Sequence, residues 1–250
     1  MAAQKIRQRK IKLSGGFMKK AVGWIIIAGV AIALMGLFIF NATRPVDHSQ
    51  TVWDTRSTIG NLDAKNYYIF YTDLACPYCS VFSREIMFHK DEFENDYIKG
   101  KDILYEVRVT DTLYEHGEHQ IQQSRDSAES VFCAKDEDKF WEYYYGALQA
   151  LWDDYHSKGI GVSKMAEPIS DMPDDYWLQI GKSIGLGEKF ENCVKNHEML
   201  DQVIKDTAKA WNQMEGGLPY FRFGNFSTSG FSDGWDWNYV KKYLDAGLKR

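Results

Sequence analysis

Cysteine and proline are scarce in this chain, with four and five among 250 residues. So few cysteines exclude a small scaffold held together by dense disulfides. Five prolines and 20 glycines exclude collagen-like and proline-rich disordered chains. A surplus of positive charge is also missing, the formal net charge being −5. That figure hides an asymmetry. Residues 1–20 hold Lys5, Arg7, Arg9, Lys10, Lys12, Lys19 and Lys20 and no acid, so the remainder carries 23 basic against 35 acidic side chains. So acidic a body repels phosphate backbones, which argues against nucleic-acid binding. What remains, 44% hydrophobic and 26% charged residues, is globular in composition and long enough for one domain plus extra segments.

The basic tail runs into twenty residues without a charge, Ala21 to Phe40. As a helix this run would span about 30 Å, the hydrocarbon thickness of a bilayer. Cations on its N-terminal side predict residues 1–20 in the cytoplasm and the bulk outside. A cleaved signal peptide would have a shorter apolar region and a small-residue cleavage site, whereas this run ends Leu37-Phe38-Ile39-Phe40. A single membrane anchor over 21–40 is therefore expected, with a polar juxtamembrane linker over 41–62 and one domain over 63–250.

Within that domain Tyr67-Tyr68-Ile69-Phe70-Tyr71 reads as a buried strand, followed at once by Cys76-Pro77-Tyr78-Cys79. From Ser80 to Tyr97 apolar residues fall near helical spacing. Ile103–Val109 alternates apolar and polar residues as a strand does. A mainly helical stretch then covers about 117–214, in which Phe140, Tyr143, Tyr144, Ala147, Leu148 and Leu151 mark one buried helix face. Gly216-Gly217-Leu218-Pro219 breaks it; a hairpin from Tyr220 and a closing helix from about Trp237 complete the chain. The fold class expected is α/β, with a helical insertion.

A CxxC after a buried strand and at the head of a helix suits thiol chemistry. Pro77 occupies a first-turn position that needs no N–H. A cysteine at such a helix start faces unpaired N–H groups and the positive end of the dipole, which favour thiolate. Thiolate is the attacking and the leaving species in disulfide exchange. Cys76 would be the exchanging sulfur and Cys79, one turn on, the resolving one. A zinc site would want a second pair of ligands at matching spacing; His116-Gly117-Glu118-His119 offers an HxxH but lies on a polar stretch, where solvated histidines are the commoner outcome, so no metal is expected.

Strand, CPYC, helix, helical insertion and Leu218-Pro219-Tyr220-Phe221 together resemble the DsbA-like branch of the thioredoxin superfamily. The stretch from Ala134 to Tyr143 and Phe190-Glu191-Asn192-Cys193 add to the likeness, which covers about 63–250. The resemblance implies a thioredoxin fold. It also implies a cis peptide at Pro219 beside the CxxC, with the backbone of Leu218 binding extended substrate. Many relatives carry a buried acid six residues before the first cysteine, where this chain has Phe70; Asp73 or ordered water then stands in as proton carrier. Cys133 and Cys193 lie in predicted helices with apolar neighbours. In an exported protein they pair as a structural disulfide or stay as two buried thiols, and pairing is the expectation.

The function expected is an extracytoplasmic oxidase that places disulfides in reduced exported proteins, needing no cofactor beyond its own dithiol. By resemblance, a membrane partner of the DsbB or VKOR type reoxidises it. The alternatives are an anchored reductase or isomerase, a glutaredoxin-like reductase (Cys-Pro-Tyr-Cys is also a glutaredoxin sequence) and a non-catalytic metal-binding module. Trp235-Asp236-Trp237 would line a binding surface or form a buried cap.

Overall fold

The computed structural model describes residues 15–42, 48, 51–161, 169–224, 226–230 and 236–248. The chain divides into two units, residues 1–45 and 46–250. In the first, helix α1 spans Gly15–Ala42 and so contains the whole uncharged run. Trp24 and Ile26–Ile39, the side chains described along it, are exposed. Among the described residues no helix is long and apolar enough to cross a membrane.

Among the described residues the second unit is built on a mixed five-stranded sheet. Its strands are β1 (Thr58–Ile59), β2 (Asn66–Thr72), β3 (Ile103–Val109), β4 (Tyr220–Phe223) and β5 (Phe226–Ser229), in the order β1-β3-β2-β4-β5. Strands β2 and β3 are parallel, with Thr72 opposite Val109; the other pairings are antiparallel. Between β2 and β3 run α2 (Pro77–Phe88), a short turn of helix α3 (Lys90–Glu92) and a π-helical segment Phe93–Lys99. The stretch Ser80–Tyr97, whose apolar residues fall near helical spacing, is thus helical but interrupted at His89, the C-cap of α2.

Among the described residues six α-helices lie between β3 and β4: α4 (Thr112–Glu115), α5 (Gln122–Lys135), α6 (Phe140–Asp154), α7 (Tyr176–Ser183), α8 (Glu188–Lys195) and α9 (Leu200–Trp211). The six apolar positions named for α6 are all buried, so its three-and-four spacing does mark a core face. The last helix, α10 (Trp237–Leu248), packs on α2. Trp237 is buried and stacks on His89 at 4.9 Å, so this tryptophan caps the core; Trp235 lies outside the described residues.

Side chains alternate across the sheet. Tyr68, Phe70, Tyr105 and Val107 face the larger core, which holds both cysteines of the CxxC and the helical block. Tyr67, Ile69, Tyr71 and Leu104 face a smaller cluster under α9 and the segment around Trp53.

Strand β3, in which apolar and polar residues alternate, is buried at every position. Its polar side is a buried network: Arg108 Nη2 donates to Glu106 Oε2 at 2.7 Å, and Arg108 Nη1 to the Tyr71 hydroxyl at 2.8 Å. The linker expected over 41–62 is partly folded. Thr58 and Ile59 pair with β3, and the Trp53 N–H donates to Glu106 Oε1 at 2.7 Å, which ties these residues to the domain.

Candidate functional site

Strand β2 carries the chain to the end of the sheet, where Asp73-Leu74-Ala75 turns it into α2. The Cys76 N–H closes this turn on the Asp73 carbonyl at 3.0 Å. Cys76 is the N-cap of α2 and Pro77 its first residue, the arrangement the motif predicts. Both sulfurs are present as thiols. Cys76 is 5% exposed and Cys79 0%, so only Cys76 offers surface to an incoming thiolate. Burial pushes the Cys79 thiol well above its ordinary value, and its hydrogen bond to Cys76 adds to this. Tyr78, between them, is half-buried against the core.

Asp73 is fully buried beneath the dithiol. Its Oδ1 accepts the Ala75 N–H at 2.9 Å, and its Oδ2 accepts the Leu113 N–H at 2.9 Å and the Ser124 hydroxyl at 2.6 Å. Burial raises its pKa to about 6, against the lowering effect of those three donors. The charge of Asp73 disfavours ionisation of Cys79. A carboxyl poised near neutrality beside a reluctant thiol can move a proton to and from it. Phe70 cannot. It is fully buried, stacked on Phe221 at 4.8 Å and packed on Phe82 at 5.0 Å.

The Leu218–Pro219 peptide bond is cis. Tyr220 pairs with Tyr71, so the antiparallel register puts Pro219 opposite Thr72, at the end of the sheet where the CxxC turn begins. Leu218 is half-buried. Cys133 on α5 and Cys193 on α8 are joined, with an S–S distance of 2.06 Å. His116 stacks on Trp211 at 4.0 Å between centroids, and His119 is exposed. Among the described residues no group of three His, Cys, Asp or Glu side chains is arranged to hold a metal ion.

Ser124 and Tyr144 were not singled out as site residues from sequence. Ser124 reaches Asp73 from 51 positions away. The Tyr144 hydroxyl lies 2.6 Å from Ser83 Oγ, and its charge interaction with Cys79 puts it on the dithiol's buried side. No local pattern marks either residue.

The thioredoxin family model matches residues 53–216. The chain belongs to the thioredoxin family. With a dithiol at the head of α2, this thioredoxin-family chain is a thiol–disulfide oxidoreductase. Its fold is similar to that of α-DsbA2 from Wolbachia pipientis, at 19% identity and TM-score 0.51 over 80% of this chain and 91% of that one. It is likewise similar to oxidised BdbD from Bacillus subtilis, at 18% identity and TM-score 0.53 over 78% and 93%. A thioredoxin-like oxidoreductase from Silicibacter pomeroyi DSS-3 matches at 16% identity and TM-score 0.51 over 79% and 95%. No curated protein matches the sequence.

Proposed function

We propose that this thioredoxin-family chain is an extracytoplasmic oxidase, anchored in the cell membrane through residues 21–40, that places disulfides in reduced exported proteins. The observation that carries the reading is the pair of buried sulfur centres. One, Cys133–Cys193, is bonded, and stable disulfides belong to oxidising compartments. The other, Cys76–Cys79, is unbonded, and Cys76 is the less buried of its two residues. The anchor reading is supported by the uncharged run Ala21–Phe40 and the exposed apolar side chains of α1. The seven cations before that run favour a cytoplasmic N-terminus.

In the oxidising direction a substrate thiolate attacks Cys76 Sγ of the Cys76–Cys79 disulfide. The bond between the two protein sulfurs breaks, a mixed disulfide forms, and Cys79 leaves as thiolate. Cys79 takes a proton, for which Asp73 is the buried donor, and Asp73 is recharged from solvent. A second substrate thiolate then attacks the substrate sulfur of the mixed disulfide and expels Cys76 as thiolate. The substrate loses two electrons and the protein dithiol gains them. No further cofactor is required, and a membrane partner of the DsbB or VKOR type would withdraw the electrons again. The Leu218–Pro219 segment would hold extended substrate through its backbone, which gives breadth of substrate in place of sequence specificity.

The test is oxidation of a reduced two-cysteine peptide by the full-length protein in detergent. Stoichiometric peptide disulfide, lost in Cys76→Ser, is expected. An oxidised protein that leaves the peptide reduced would defeat the reading. Copper or zinc retained on purification and lost in Cys76→Ser would point to a metal-binding module.

A further inference from the structure

The redox chemistry leaves a second buried carboxylate at the same end of the sheet unused. Thr110 donates to the Thr72 carbonyl through both its N–H, at 2.8 Å, and its hydroxyl, at 3.2 Å. The next residues of these adjacent parallel strands are Asp73 and Asp111, each fully buried. Consecutive residues of the first turn of α5 serve them. Ser124 Oγ donates to Asp73 Oδ2 at 2.6 Å, and Arg125 Nε donates to Asp111 Oδ2 at 2.8 Å. The other oxygen, Asp111 Oδ1, is buried without a hydrogen-bond partner. Arg125 also pairs with Glu115, and its guanidinium lies 3.7 Å from the centre of the Tyr114 ring. Burial, three hydrogen bonds and the Asp111 charge together determine how readily Asp73 ionises.

A carboxylate buried with one oxygen unpartnered leans on its single cation. Removing that cation leaves a negative charge uncompensated next to Asp73. We propose that Arg125, which touches no sulfur, is a positioning residue for the dithiol: its pair with Asp111 sets the charge beside Asp73 and hence the pH at which Asp73 passes a proton to Cys79. The proposal rests on the reading of Asp73 as the proton partner of Cys79.

Other charged and titratable groups are arranged around the pair. Cys76 and Cys79 approach from α2, and Tyr144 from α6. Glu115 comes from α4, and α9 contributes the Thr207 hydroxyl, which accepts the Asp111 N–H at 3.0 Å. Asp126 and Glu129, on α5 itself, interact with Arg125, and Glu129 is paired to His197. Among these, Asp111 is the acid bonded directly to Arg125 whose charge bears on Asp73.

The experiment follows the rate of mixed-disulfide resolution by Cys79 across pH in the full-length protein, with folding checked by near-ultraviolet circular dichroism. Arg125→Gln should move the midpoint up by about one pH unit, the scale expected for a neighbouring charge. Asp111→Asn should move it down, the double variant should return it toward wild type, and Arg125→Lys should hold it close to wild type. A merely structural pair would lower the melting temperature in these variants without moving the midpoint. If Arg125→Gln fails to fold, Asp111→Asn and the double variant carry the same test. Asp73→Asn separates the two claims. If it keeps the inflection, both the reading of Asp73 and the inference fall. If it loses the inflection while folded Arg125→Gln leaves the midpoint in place, the inference alone falls.

Discussion

Replacing Cys76 by serine removes the sulfur of the less buried cysteine of the dithiol, and no peptide oxidation should remain. Cys79→Ser should behave differently. It leaves a Cys76 thiolate without its resolving partner, so when a disulfide-bearing substrate is offered Cys76 attacks it, one substrate sulfur leaves as thiolate, and the mixed disulfide should accumulate, seen on non-reducing gels and released by dithiothreitol. Asp73 acts on stability as well as rate. Its folded pKa, about 6, lies above the ordinary 3.8, so the protonated form suits the folded state better. Its contribution is therefore full below about pH 4 and lost as pH rises through about 6, a cost of about 3 kcal/mol at neutrality. Urea unfolding of the reduced protein should show this slope flattened in Asp73→Ala. The same variant should lose the inflection near pH 6 in the Cys79-dependent rate.

Among the elements, α5 and α8 are tied by Cys133–Cys193 across 60 residues of sequence. Opening a bond of that span typically costs about 2–4 kcal/mol. Cys133→Ala with Cys193→Ala should lower the melting temperature by about 5–15 °C. The loss should appear in wild type under dithiothreitol and leave the double variant unchanged. The elements around the motif were legible in the sequence because their signals are local. A dense aromatic run makes β2, Pro77 one residue after a cysteine opens α2, and Leu218-Pro219 precedes β4. The rest depends on contacts between distant segments. Glu106 and Arg108 alternate with apolar residues as a solvated face would, and only the segment around Trp53, folding over them, turns that face inward. Asp73 stood out by its place before Cys76, yet two of its three hydrogen-bond donors, Leu113 and Ser124, lie 40 and 51 residues away.

For the whole molecule, one chain joins a 28-residue helix to a thioredoxin-family domain with a helical block between β3 and β4. If residues 21–40 span a bilayer, the protein should stay in the membrane pellet under alkaline carbonate. Protease added outside should reach the domain but spare residues 1–20; release by carbonate would refute the anchor. The central claim, that the Cys76–Cys79 pair oxidises other proteins, comes down to its reduction potential. The full-length protein should be equilibrated with glutathione redox buffers and the two thiols counted by alkylation. A potential near −120 mV, that of a strong protein oxidant, is the result predicted here. A potential near −270 mV, the range of reducing thioredoxins, would contradict it.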